Sequence, residues 1–349
     1  MHGDYNYAYQ KNWTFKTGLR YQGTHTDNQI NYNTIAGDST INDAAYSSHT
    51  KLDEDIEAFY ITGSKKWKWN SLTAGLRIEN SSASSTAILD QHYFDLFPNV
   101  NFTHTYADND QFTFTYKRTI SRPPYQEVLP YTIFVDQYTI FEGNPYLTPR
   151  FDHIFTLNQN IKTLDISLTY TLTDKAFYQF PIDQDLSTFT TYYSFININN
   201  SSQLALDLYY PLKIAPWWNT SNSADFKYAD ANGIVLNAPT SLTTNSFNVK
   251  TNQVFTLSES MKFQFDYYYQ SAYSAALIKI KSYNNADAAL LIDVLQKRGH
   301  ISINGIELLG RNKYGSYQQF GFYSRNGTTF SDGQRIGIGF NYTFGNSKI

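Results

Sequence analysis

Residues 164–172 read Leu-Asp-Ile-Ser-Leu-Thr-Tyr-Thr-Leu, in which apolar and polar side chains alternate without a break. Successive side chains of a β-strand point to opposite faces of the sheet, so this stretch predicts a strand with one apolar and one polar face. The same alternation recurs in 112–117, 262–270 and 335–344. The chain is therefore predicted to be all-β.

Working outward from these stretches, the same pattern delimits about fifteen strands. They are predicted near 3–9, 13–25, 52–63, 67–83, 96–106, 110–119, 150–160, 163–174, 196–212, 217–230, 243–257, 261–274, 282–295, 299–308 and 334–344. The clear short turns between them are 10–12, 64–66, 108–109, 258–260 and 296–298. The long connections are 26–51, 120–149, 175–195 and 309–333. Short turns at one end and long loops at the other are typical of a transmembrane antiparallel up-and-down β-barrel, and loops of this length are unusual in a compact soluble domain.

The tryptophans support a membrane environment. All five lie beside short turns: Trp13, Trp67, Trp69, Trp217 and Trp218. Tryptophan prefers the membrane–water interface, so they predict one aromatic girdle on the short-turn side, which we expect to face the periplasm. The alternative is that they are core residues of a soluble β-sandwich, but a sandwich gives no reason for placing them at one end of the strands.

Charged side chains alternate with the apolar ones on the predicted strands. Lys16, Arg20, Arg77, Glu79 and Asp207 all fall on the second face. A Lys or Arg that faces lipid at mid-depth costs roughly 2–4 kcal/mol, so this face is expected to line a lumen.

Composition excludes several classes of protein. The 349 residues carry a net charge of −3 and no Cys, which argues against a nucleic-acid partner, a disulfide framework and thiolate metal sites. Charged residues make up only 16%, low for a soluble surface. There is no run of about 18 apolar residues and no signal peptide before the first strand, so we expect the natural N-terminus to lie upstream.

No constellation of catalytic residues is recognisable. The seven His are scattered without the spacing of a helical zinc site, and no phosphate loop or nucleophile elbow occurs. The acidic group Asp53, Glu54, Asp55 and Glu57 could bind a hard cation, or it could be solvated charge at the start of a strand. We therefore predict no enzyme activity, no catalytic residue, no cofactor and no metal site.

One non-periodic segment carries a family resemblance. It contains Arg118-Thr-Ile-Ser-Arg122-Pro-Pro-Tyr125, then Leu129-Pro-Tyr131, then Gly143-Asn-Pro-Tyr-Leu-Thr-Pro149. With 93–98 (Tyr-Phe-Asp-Leu-Phe-Pro) and 341–345 (Asn-Tyr-Thr-Phe-Gly), it resembles the outer-membrane β-barrel family of TonB-dependent receptors of Bacteroidetes-type bacteria. Arg150 departs from the pattern, because the family usually has an acidic residue after the last Pro.

The resemblance implies a location in the outer membrane and a nutrient-uptake function. The ligand would be an extracellular siderophore, glycan, peptide or similar molecule. The alternatives are a structural or assembly barrel without transport activity, and a soluble carbohydrate-binding or hydrolytic β protein. The implied partners are outer-membrane lipid, the barrel-assembly machinery, and TonB through an N-terminal region that this sequence does not contain.

The Pro-rich segment is predicted to be a stiff extracellular loop at the barrel mouth. Its candidate ligand-facing residues are Arg122, Tyr125, Tyr131, Phe134, Tyr138 and Asn144. The alternative is a rigid connector without a ligand role.

Two further expectations concern the ends of the sheet. Tyr342 and Phe344, on the apolar face of the last strand, are expected to form the assembly signal that the resemblance implies. Residues 1–349 are expected to form one barrel domain that lacks its plug and first strands, because single-chain barrels have even strand numbers and the resemblance implies 22. The competing possibility is a closed barrel of 14 strands in which the last strand pairs with 13–25.

Overall fold

The computed structural model describes residues 1–9, 12–86, 90–108, 110–235, 238–310, 313–320, 323–330 and 333–344. These residues form 23 strands and one short helix, α1 (Tyr125–Val128). The strands are β1 (His2–Tyr9), β2 (Trp13–Ile30), β3 (Asn33–Ala36), β4 (Ser39–Asn42), β5 (Ser48–Trp67), β6 (Asn70–Ser85), β7 (Gln91–Ala107), β8 (Asp110–Ser121), β9 (Thr132–Asp136), β10 (Thr139–Glu142), β11 (Arg150–Ile161), β12 (Leu164–Asp185), β13 (Thr190–Ala215), β14 (Trp218–Val235), β15 (Ala238–Ser258), β16 (Met261–Gln270), β17 (Tyr273–Ala275), β18 (Ile278–Ile280), β19 (Tyr283–Val294), β20 (Gly299–Ile306), β21 (Lys313–Phe320), β22 (Tyr323–Phe330) and β23 (Arg335–Tyr342).

Fifteen of these strands form one antiparallel wall in which neighbours along the chain are neighbours in space. The order is β1, β2, β5, β6, β7, β8, β11, β12, β13, β14, β15, β16, β19, β20 and β23. All fifteen predicted wall strands are confirmed. No helix among the described residues is long and apolar enough to cross a membrane.

The wall is an open sheet. Within the described residues β1 pairs only with β2, and β23 pairs only with β20. A closed ring of 14 strands would need β23 against β2, but β2 has β1 on one side and β5 on the other. That alternative is therefore wrong.

The strand pairings keep the two predicted faces separate. On β12 and β13, Leu168 lies opposite Leu206, and Ser167 lies opposite Asp207. Asp207 in turn lies opposite Asp225 of β14. Large apolar side chains on the other face are exposed, including Leu19 at 64%. We call the polar face of the wall the lumen face.

Two predicted connections are wrong. Residues 64–66 are not a turn, because β5 continues to Trp67 and the turn is Lys68–Trp69, with Lys68 in the left-handed region at φ 44°. The ammonium of Lys65 instead lies 4.9 Å from the centre of the Trp13 ring. Segment 175–195 is not a long loop, because β12 and β13 continue through it and leave only 186–189 between them.

Other predicted loops contain hairpins. Segment 26–51 holds β3 and β4, and 309–333 holds β21 and β22. Residues 10 and 11 of one predicted turn, residue 109 of another, and 311–312, 321–322 and 331–332 of the last loop lie outside the described residues.

Aromatic side chains cluster at the short-turn end of the wall. Trp13 stacks on Phe15 at 5.7 Å between ring centres, and Trp218 stacks on Phe255 at 5.6 Å. The largest fully buried side chains lie near the opposite end, which we call the mouth, and they include Phe180, Leu129, Leu147 and Ile198. The wall itself has little core, so the compact packing is concentrated at the mouth.

Candidate functional site at the mouth

Segment 122–149, which we call the cap, folds over the mouth. Its strand β10 pairs antiparallel with β9 and parallel with β13, with Thr139 opposite Thr191 and Phe141 opposite Tyr193. The pairing of β13 with β14 begins only at Asn200, so the preceding part of β13 offers the free edge that β10 occupies. The cap is therefore part of the sheet and not a loose loop.

Gly143 is required by a close approach within the cap. A Cβ at this position would collide with the carbonyl oxygen of Leu129. Around it, the Gly143 amide donates to the Tyr131 carbonyl (3.2 Å), and the Asn144 amide donates to the Glu127 carbonyl (2.7 Å). The Gly-Asn-Pro motif is thus hydrogen-bonded to an earlier part of the same cap, at Glu127 and Tyr131.

Arg122 of the motif ties the cap to the wall through Glu79 of β6. The guanidinium of Arg122 donates to the carboxylate of Glu79 and to the Ser81 hydroxyl (3.2 Å). Arg77 donates to the same Glu79 carboxylate through Nε (3.0 Å). Glu79 is only 5% exposed, so this carboxylate is held between two cations in a largely dry position.

Arg118 fills the place where β7 and β8 separate. Their pairing ends at Asn99 and Lys117. Beyond that point Arg118 donates to the Leu96 carbonyl (2.7 Å) and to Asp95 (3.0 Å). Its side chain therefore satisfies backbone and carboxylate groups that the strand ladder leaves open.

Tyr131 and Asn144, both predicted to face a ligand, are bonded to the protein. Tyr131 is 7% exposed, and its hydroxyl donates to the Gln126 carbonyl (2.7 Å). The Asn144 side chain donates to the Phe195 carbonyl (2.8 Å) and accepts from the Tyr146 amide (3.0 Å). Their geometry serves the packing of the cap on β13, and their ligand role stays a prediction.

The other predicted aromatic residues are more accessible. Phe134 meets Tyr32 and Tyr46 edge-on, with ring centres 5.3 and 4.9 Å away, and the Tyr32 hydroxyl donates to the Thr132 carbonyl (2.7 Å). Tyr125 and Tyr138 are exposed. Of the six predicted residues, Arg122 and Tyr125 line a common cavity beneath the cap.

The cavity beneath the cap is small. It has a volume of about 50 Å³ and is lined by Leu52, Tyr93, Arg122, Tyr125 and Leu147 among others. Ligand cavities are usually about 300–1,000 Å³, so this space cannot hold a nutrient molecule without rearrangement.

Glu127 is the unusual polar group of the cap. Its Oε2 atom is buried and has no hydrogen-bond partner among the described residues. Burial raises the pKa of the Glu127 carboxyl above its ordinary value, and burial likewise raises the pKa of the Tyr131 hydroxyl. Both shifts follow from the compact packing of the cap.

Sequence reasoning missed a larger cavity on the lumen face beside the cap. It has a volume of about 520 Å³. Its lining includes Thr171, Gln203, Lys227, Ser246 and Tyr273. Arg150 and Asp152 form an ion pair at its edge (Nε to Oδ2, 3.1 Å), so the positive charge at the atypical Arg150 is offset locally. The polar face of the strand alternation was the available signal for this cavity.

The acidic side chains of 53–57 are distributed over both faces of β5. Asp53 pairs with His25 (2.6 Å), and Asp55 accepts from the Tyr21 hydroxyl (2.6 Å), on the face opposite the lumen. Glu54 lies on the other face because side chains alternate along β5. In the part of the chain that the structure describes, no three His, Asp or Glu side chains are grouped to hold a metal ion.

The proposed assembly residues lie at the end of the last wall strand. The rings of Tyr342 and Phe344 are 4.6 Å apart and meet edge-on. Phe344 is 85% exposed. Residues 345–349, the last part of the quoted 341–345 motif included, lie outside the described residues.

The wall, the cap and the two faces are those of a membrane barrel, and the sequence profile of the outer membrane protein beta-barrel family matches residues 1–342. The chain belongs to this family. The protein is accordingly located in the outer membrane. No curated protein matches the sequence.

Solved structures share the fold at low sequence identity. FpvA of Pseudomonas aeruginosa, solved with bound pyoverdines, superposes with a TM-score of 0.62 and 11% identity over 98% of this chain and 47% of that one. The FrpB iron transporter of Neisseria meningitidis gives 0.60 and 10%, over 98% and 54%. The ferric enterobactin receptor PfeA gives 0.57 and 14%, over 88% and 48%. This chain thus spans about half the length of these receptors.

Proposed function

We propose that the chain is the barrel portion of a TonB-dependent receptor that takes up an extracellular nutrient. The single observation that carries the proposal is the mouth, where a bonded cap stands beside a ligand-sized cavity on the lumen face. A purely structural barrel has no need for either feature. The family and the fold of the similar receptors support the same conclusion, and neither is an enzyme fold.

The proposal includes partners beyond this chain. Transport would be driven by TonB acting through a plug region. The open edges at β1 and β23 would pair with further strands, because each unsatisfied backbone group in lipid costs several kcal/mol. The candidate ligand-facing residues Arg122, Tyr125, Tyr131, Phe134, Tyr138 and Asn144 would act mainly by shaping the cap.

A growth comparison tests the function. A strain lacking the gene and a strain lacking TonB are grown on a panel of limiting iron, sugar and peptide sources. We expect the first strain to lose growth on at least one source on which the second also fails. Normal growth on every source, together with a leaky envelope, would favour the structural barrel instead.

We also propose that Tyr342 and Phe344 are recognised by the barrel-assembly machinery. Both rings are available at the end of an exposed edge strand. Phe344→Ala should lower the amount of full-length protein in the outer membrane several-fold, whereas Phe330→Ala, at an exposed position of β22, should not. Quantitative blotting of membrane fractions measures this, and equal amounts for both variants would refute the proposal.

A further inference from the structure

The lumen-face cavity of about 520 Å³ is built by strand register. Gln203 of β13 lies opposite Thr171 of β12 on one side and Ala229 of β14 on the other. Lys227 of β14 lies opposite Ser246 of β15. Paired residues share a face, so hydroxyl, amide and ammonium groups from four adjacent strands converge on one surface.

Four polar side chains of the lining are not engaged in hydrogen bonds within the described part of the protein. Within the described residues, the side chains of Gln203, Ser201, Ser246 and Thr171 make no hydrogen bond. This differs from the cap, where Arg122, Tyr131 and Asn144 are bonded to neighbouring groups. These four unengaged side chains suit a ligand that offers hydrogen-bonding groups of its own.

Aromatic and aliphatic groups complete the lining. Tyr178 and Tyr273 border the cavity, and Ala231 and Leu242 connect it to the buried cluster of Phe180 and Ile198. The lining therefore offers apolar surface next to hydroxyl and amide groups. A sugar ring has the matching pattern, with a C–H face that packs on aromatic rings and a rim of hydroxyls.

Charge argues against a multiply charged ligand. Arg150 is neutralised by Asp152, which also accepts from the Thr173 hydroxyl (2.6 Å). Lys227 is the one lining cation without a carboxylate within ion-pair distance in the described part of the chain. A compact anionic metal chelate would need several unpaired cations to offset its desolvation.

We propose that this cavity binds an oligosaccharide, with Gln203 and Ser201 hydrogen-bonding its hydroxyls and Tyr273 packing on a ring face. The proposal rests on the proposed uptake function and names its substrate class. Lys227 accommodates at most one carboxylate of an acidic sugar.

Binding to the purified protein in detergent tests this. The probes are an array of neutral and uronic-acid oligosaccharides and, separately, ferric citrate as an anionic chelate. We expect at least one oligosaccharide to be retained. Gln203→Leu and Tyr273→Ala should each weaken its binding about tenfold or more, since a lost hydrogen bond or ring contact is worth about 1.4 kcal/mol or more.

Matched controls separate binding from folding. Gln29→Leu, on the opposite face of β2, and Tyr146→Ala, at an exposed position of the cap, should leave oligosaccharide binding unchanged. All four variants should keep the heat-modifiable mobility of a folded barrel. If Gln203→Leu or Tyr273→Ala alone fails to fold, the other variant decides.

The outcomes distinguish this proposal from the uptake function. Retention of ferric citrate alone would overturn the oligosaccharide proposal and leave the receptor function standing. Retention of a sugar whose binding is unchanged in both cavity variants would also overturn it. No retention of any probe would overturn the oligosaccharide proposal, and would overturn the receptor function as well if the gene deletion causes no growth defect.

Discussion

In the cap, Arg122 and Asn144 form hydrogen bonds with Glu79 and with the backbone of β13, and the space beneath measures about 50 Å³. Beside the cap, Gln203 and Ser246 border a cavity of about 520 Å³ and bond to no other described side chain. Polar side chains of the recognisable sequence motif, such as Arg122 and Asn144, are thus already hydrogen-bonded within the protein. A motif that identifies a family can mark how the fold closes, while the binding surface lies in sequence that carries no motif.

The comparison predicts that substitutions in the cap affect folding and substitutions in the cavity affect binding. The largest effect is expected for Gly143→Ala, because its Cβ would collide with the Leu129 carbonyl and backbone cannot move away cheaply. We expect most of the folded protein to be lost from the outer membrane, measured as the heat-modifiable band. Gly337→Ala, at a site with open space around the new Cβ, is the control. Normal levels of Gly143→Ala would show that the cap is not needed for folding.

Glu79→Gln tests the ion pair between Arg122 of the cap and Glu79 of the wall. Removing the carboxylate leaves Arg77 and Arg122 facing each other in a partly buried position. Breaking a buried ion pair typically costs 3–5 kcal/mol, and we expect about 3 here because both arginines keep some contact with water. Urea unfolding in detergent measures it. Glu57→Gln, whose contact with Asn80 is long at 3.5 Å, should change the midpoint little. Equal urea midpoints for Glu79→Gln and the wild type would show that Glu79 does not stabilise the folded protein.

Asn144→Ala should loosen the cap from β13 without unfolding the wall. The loss leaves the Phe195 carbonyl and the Tyr146 amide without their side-chain partners, which costs about 1–2 kcal/mol. Hydrogen–deuterium exchange should speed up in 132–142 and 190–199. Asn158→Ala, which removes a side chain without a hydrogen bond in the described residues, should leave exchange unchanged. A slowdown or no change in Asn144→Ala would contradict the assigned role.

The smallest effect is expected for Glu127→Gln, and it should be stabilising. Burial raises the pKa of this carboxyl, so the folded cap holds the proton more tightly than the unfolded chain does. The cap is therefore most stable below the ordinary Glu pKa and loses stability as pH rises through the raised value. Exchange protection factors of the wild type and Glu127→Gln should agree at acidic pH and diverge at neutral pH, with the Gln variant better protected. The opposite order would mean that Glu127 has an ionic partner.

The wall strands were predicted well from the sequence because each strand shows its own local alternation of apolar and polar side chains. Alternation over a few residues, as in 164–172, assigns both strand and face without reference to the rest of the chain. It failed at 175–195, where Phe177, Tyr178 and Phe180 come almost in succession. There both faces of the hairpin are covered, with Phe177 against Phe195 and Phe180 against Ile198, so no polar face remains to reveal a strand.

The sequence by itself determined the fold class, the fifteen wall strands, their two faces and the family motif, because these depend on spacing along a few residues. Only the tertiary structure decided which polar groups are free. Arg122 meets Glu79 and Asn144 meets Phe195 across 43 and 51 positions of the chain, and neither partner can be read from local pattern. The cavity is likewise set by the register of four strands and by the bonds that its side chains do not make, which are properties of the folded chain alone.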